Sequence, residues 1–128
     1  MTMLLRLLVV LIALACLAGG LGFAFAPTLV AADFAVTTTG VAGMGTLRAD
    51  LGGLFLASGL FAFVGLRQGS EHWLAVPLVF IATILALRVL HLALDGMSPG
   101  GIRSLIAEIV IVAILYGARR AFAREAGR

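Results

Sequence analysis

Apolar residues come in four long blocks separated by short polar stretches, over residues 7–32, 47–66, 73–94 and 102–118. None of the blocks alternates with a period of two, and none keeps a polar face along its whole length. They read as helices that are apolar on nearly every side, not as strands or as surface helices. About 20 residues carry a helix through roughly 30 Å of hydrocarbon. The chain is therefore predicted to be all-α: one domain, residues 1–128, forming an integral membrane four-helix bundle. Its spans fall at approximately 5–27, 47–66, 73–94 and 102–118, connected up and down in antiparallel order.

The stretches between the blocks punctuate this pattern. Residues 33–46, DFAVTTTGVAGMGT, carry four threonines and three glycines without a helical period and read as a loop, with Thr46 as the N-cap of the second helix. Residues 67–72, RQGSEH, are too few for more than a reversal, so the third helix returns beside the second. Trp73 stands where an interfacial aromatic belongs, and Pro77 falls in the first turns of the third helix. GMSPGG, residues 96–101, forces a second reversal, and residues 119–128 form a short basic tail. The first block also admits a signal-peptide reading, with Arg6 as the basic start and Ala24-Phe25-Ala26 as the cleavage site before Pro27. The apolar run continues past that point and exceeds the usual signal core, which favours a span.

Composition agrees with the pattern. At 62% hydrophobic and 12% charged residues, with a mean hydropathy of +1.19, the chain falls outside the range of soluble domains. All nine basic residues are arginines, placed near the ends of the apolar blocks and not in a patch interleaved with aromatics, so the net charge of +3 is a topology signal and no nucleic-acid partner is expected. With four spans, Arg6, Arg67, Arg119, Arg120, Arg124 and Arg128 share one compartment. By the positive-inside rule that compartment is the cytoplasm, which places both termini there and the protein in the inner membrane. A single cysteine, Cys16, excludes an intramolecular disulfide, and with two histidines it is too little for a histidine- or thiolate-rich metal site. No metal and no cofactor are expected; no phosphate loop, dinucleotide fingerprint or nucleophile elbow occurs.

The same topology gathers the remaining charges. Arg88, His91 and Asp95 share one face of the third helix. From the helical rise, Arg88 lies about 10 Å and His91 about 6 Å inward from Asp95, and Glu108 about 9 Å inward from Ile102. With Arg48, Asp50 and Arg103 these groups are expected to meet in the outer leaflet between the second, third and fourth helices, three arginines balancing three carboxylates. Ser104 extends the stripe of Glu108. Gly53, Ala57, Ser58 and Ala62 form a small-residue face suited to a close helix neighbour, in this chain, in a homo-oligomer or in a larger membrane complex. Gly19, Gly20 and Gly22 likewise read as helix packing.

The segments Arg48-Ala49-Asp50-Leu51-Gly52-Gly53 and Arg88-Val89-Leu90-His91-Leu92-Ala93-Leu94-Asp95-Gly96 resemble the marked positions of a family of small bacterial four-helix membrane proteins known only as a domain of unknown function. The resemblance covers nearly the whole length; it implies a bacterial membrane bundle and supplies no activity. Its pattern does not include His91.

Three functions fit these residues. The first is a non-catalytic binding or accessory protein whose cluster organises the bundle and holds a membrane lipid or amphiphile. The second is a membrane-embedded enzyme using His91 with Asp50 or Glu108 in acid/base chemistry on an amphiphile. The third is a proton-coupled transporter, which ordinarily needs an ionisable group nearer mid-bilayer.

Overall fold

The structure is a computed structural model that describes residues 2–127; Met1 and Arg128, the ends of the expected domain, lie outside the described residues. Among these the chain is helical without strands: α1 Met3–Phe25, α2 Pro27–Asp33, α3 Gly40–Thr46, a π-helical stretch Leu47–Leu51, α4 Gly52–Gln68, α5 Glu71–Leu94 and α6 Pro99–Ala126. Four helices are long and apolar enough to cross a membrane: α1, the continuous run Gly40–Gln68, α5 and α6.

The first apolar block is broken at Pro27, which has no N–H to return to the carbonyl of Phe23. Ala26 takes a non-helical conformation (φ −133°, ψ 53°), and Pro27 starts α2 as its first residue. Helix then resumes to Asp33, so the connection is shorter than the sequence suggests. Only residues 34–39 remain irregular, because the second helical run starts at Gly40 and not at Leu47. The expected cap at Thr46 is accordingly corrected. Thr46 lies inside the run, its hydroxyl donating to the carbonyl of Ala42 at 3.3 Å. Poor glycine and threonine propensities are overridden where Leu47, 3% exposed, packs with Phe23 and Ala31.

The α4–α5 reversal is built by Gly69 at φ 60°, which lets its own N–H and that of Ser70 close on the carbonyl of Gly65. Trp73 fastens the turn, its indole N–H donating to Gln68 Oε1 at 2.9 Å while its ring stacks on Phe61. The α5–α6 reversal uses Gly96 at φ 97°. Ser98 then caps α6 by accepting from the Gly101 N–H at 3.0 Å, with Pro99 in the first turn. The basic tail is not a separate segment. α6 continues to Ala126, since Phe122 still packs inward beyond residue 118.

α1 packs chiefly on α4, α4 on α5 and α5 on α6, and α6 also touches α1. The main core joins Val9, Ala13 and Cys16 of α1 to Ala62 of α4, Leu74 and Leu78 of α5, and Leu115 and Phe122 of α6, all near the end that holds the termini. At the opposite end a second cluster gathers Phe23, Ala31 and Leu47, and the Phe34 ring packs against those of Phe23 and Phe55. The α1–α4 seam is close because glycines line it. A Cβ on Gly20 would stand 2.7 Å from the Leu56 nitrogen, and one on Gly59 2.9 Å from the Leu17 nitrogen. Within the expected small-residue face, Ser58 and Ala62 are buried inside the chain, Ala57 is half-buried and Gly53 is exposed. The far half of the α5–α6 hairpin is packed differently: in residues 82–114 only Gly101 is buried. That half stands clear of the core, and the candidate site lies on it.

Candidate functional site

The α5–α6 hairpin carries an ion pair between its two helices. Arg88 Nη2 lies 2.8 Å from Glu108 Oε1, and Arg88 Nε donates to the same oxygen at 3.1 Å. Glu108 is the more enclosed partner, with 12% of its side chain exposed against 28% for Arg88. One turn along α5, His91 Nδ1 lies 2.7 Å from Asp95 Oδ2, a helical i,i+4 pair of two exposed side chains. Asp95 is thus bound to its neighbour on α5, while the guanidinium of Arg88 reaches across to α6.

Between this hairpin and the end of α2 is a cavity of about 280 Å³. Arg88 and His91 of α5, with the cap residue Ser98 and with Arg103 and Ser104 of α6, form one wall; Asp33, Phe34 and Ala35 form the other. Glu108 offsets the charge of Arg88, and His91 is held by Asp95. Arg103 is exposed and makes no hydrogen bond or ion pair with any described residue. Asp33 across the cavity is exposed and unpartnered in the same sense.

The seven residues expected to meet are therefore divided. Arg88, His91 and Arg103 line the cavity, with Glu108 and Asp95 bonded to two of them. Arg48 and Asp50 belong elsewhere. They sit on the π-helical stretch, where Arg48 donates to the carbonyl of Ala24 at the broken end of α1 and Asp50 is exposed without a partner among the described residues. Two extra helical turns before Leu47 and the π stretch itself set where this segment presents its charges, and neither was legible as a helix period. Asp33 and Phe34 are the site residues the sequence reading passed over as loop. The available signal for Asp33 is its place between the first two apolar blocks, which four antiparallel spans put at the same end as Asp95.

Chemically, the site is a cationic wall facing one carboxylate. Among the described residues no three His, Cys, Asp or Glu side chains converge as metal ligands, and Glu108 is engaged by Arg88. The imidazole of His91 is tied through Nδ1 on an exposed helix face. The wall offers hydrogen-bond donors to an anion: the guanidinium of Arg103, the remaining N–H groups of Arg88 and the hydroxyls of Ser98 and Ser104. Comparison of the chain with protein-family models, with curated proteins and with solved structures gives no match to any of them.

Proposed function

We propose that this chain is a multi-pass protein of the bacterial inner membrane, a four-helix bundle with both termini in the cytoplasm, and that it acts as a non-catalytic binding protein for an amphiphile. In this reading its cavity takes the head group from the outer leaflet. Several observations support the membrane placement. Leu11 and Leu14 of α1, Leu60 of α4, Val79 and Leu87 of α5 and Ile106 of α6 are all at least half exposed, on helices long enough to span. Water would disfavour such a surface and hydrocarbon accepts it. Arg6, Arg67, Arg119, Arg120 and Arg124 collect at the end that carries the termini and the α4–α5 turn, as the positive-inside rule requires of a cytoplasmic face.

The observation that carries the binding reading is Arg103, a guanidinium with no internal partner lining a cavity beside an already neutralised Arg88–Glu108 pair. A cation in that position is compensated by an anionic group brought from outside. The Arg88–Glu108 pair itself belongs to the framework, holding α5 to α6 where apolar packing from the rest of the chain is sparse.

Purification in mild detergent, followed by extraction and identification of retained lipid, tests the proposal. The wild-type protein retains an amphiphile at near-stoichiometric level, and Arg103→Gln, in a bundle of unchanged helicity, lowers the retained fraction about tenfold. Equal retention by wild type and Arg103→Gln would overturn it.

A further inference from the structure

We infer that the cavity is selective for a zwitterionic head group carrying a phosphodiester and a primary ammonium, an inference that rests on the head-group reading above and adds its chemistry. The observation is a pair of opposite charges that share one cavity without touching. Arg103 of α6 and Asp33 at the end of α2 both line it, and neither forms an ion pair or hydrogen bond with any described residue.

A ligand that is only anionic satisfies Arg103 and Arg88 but brings its negative charge into a site walled on the other side by Asp33, where like charges oppose binding. A ligand with both charges satisfies both walls. Its phosphodiester faces Arg103, Arg88 and the hydroxyls of Ser98 and Ser104, and its cationic end faces Asp33.

The carboxylate also distinguishes between ammonium types. An ionised Asp accepts hydrogen bonds and donates none. A primary ammonium supplies three N–H donors to it, whereas a quaternary ammonium has none and is recognised by several aromatic faces around it. Here the cavity has one phenyl ring, Phe34, which already packs against Phe23 and Phe55, and one imidazole, His91, which is tied to Asp95, so no cage of aromatic faces surrounds it. A volume of about 280 Å³ suits a head group alone. The acyl chains then lie outside, against exposed apolar residues of the hairpin such as Leu90 and Ile106.

The test is competition on the full chain. Protein in detergent is equilibrated with an equimolar mixture of phosphatidylethanolamine, phosphatidylcholine and phosphatidylglycerol of identical acyl chains, and bound lipid is counted by native mass spectrometry. Phosphatidylethanolamine is expected to exceed each of the others about tenfold. Asp33→Asn should reduce it to the level of phosphatidylglycerol, while Arg103→Gln should lower all three. Phosphatidylglycerol or phosphatidylcholine bound as well as phosphatidylethanolamine overturns the selectivity, as does a preference that survives Asp33→Asn. In those cases a loss caused by Arg103→Gln still upholds the head-group reading. Binding of none of the three lipids by the wild type overturns both. Asp33 and Arg103 are exposed and unpartnered, so the variants are expected to fold, and the wild-type competition decides the selectivity without them.

Discussion

Arg88 and Glu108, twenty residues apart on adjacent helices, are joined by two hydrogen bonds to one carboxylate oxygen, at 2.8 and 3.1 Å. In the outer part of the α5–α6 hairpin, where residues 82–100 and 102–114 include no buried position, this pair is the principal specific link between the two helices. Removing one member leaves the other charge partly enclosed and uncompensated. Arg88→Met or Glu108→Leu alone should destabilise the protein by about 2–4 kcal/mol, and the double variant should cost less than the worse single change. Unfolding in mixed micelles measures this, and purely additive costs would show that the pair is not coupled. By contrast His91→Ala, which breaks only an exposed i,i+4 pair, should cost no more than about 0.5 kcal/mol.

The α1–α4 seam depends on the absence of side chains at two positions. Gly59→Ala places a methyl group 2.9 Å from both the Ala13 carbonyl oxygen and the Leu17 backbone nitrogen, so the helices must separate at a cost of about 1–3 kcal/mol. Gly53→Ala, six residues earlier on the same helix, meets nothing within 4 Å. It should be neutral or raise stability by up to about 1 kcal/mol through helix propensity. Thermal denaturation of the two variants side by side separates the close seam from a general glycine effect; equal destabilisation would place the seam elsewhere.

Arg48 donates to the carbonyl of Ala24, one of the acceptors left over where Pro27 interrupts the helix. Arg48→Met should loosen the α1–α2 break, at a cost of about 1 kcal/mol. The visible consequence is faster amide hydrogen exchange in residues 28–34 than in residues 7–16 of the same variant. Because Arg48 does not line the cavity, lipid retention should stay at the wild-type level. A loss of retention comparable to that of Arg103→Gln would return Arg48 to the binding site.

The proposed orientation is open to labelling. In a Cys16→Ser background, Met97→Cys, at an 80% exposed position in the α5–α6 turn, should react with a membrane-impermeant maleimide added outside intact cells. Gln68→Cys at the α4–α5 turn should react only after the membrane is opened. The reverse pattern would invert the bundle and move the cavity to the cytoplasmic side.

Hydropathy alone made four long helices legible, because the transfer of apolar residues out of water depends on run length and hardly on partners. The turns at Gly69-Ser70 and Gly96-Met97-Ser98-Pro99 were legible too, since left-handed glycine, serine capping and proline act within a few residues. The expectation that Arg48, Asp50, Arg88, His91, Asp95, Arg103 and Glu108 belong to one end of the helices followed from counting residues along them.

Pairing did not follow. Sequence spacing put Arg88 and Asp95 on one face, but which carboxylate Arg88 takes depends on the rotation of α6 against α5, and that is set by packing around Leu74, Leu115 and Phe122 far down the hairpin. The same holds for Arg48, sent to Ala24 by a helix that starts two turns early, and for Asp33, brought to the cavity by a second helix after Pro27. Local energetics settle the four long helices and where along each a charge sits; only the fit of one helix surface against another decides how far the helices extend and which charges meet.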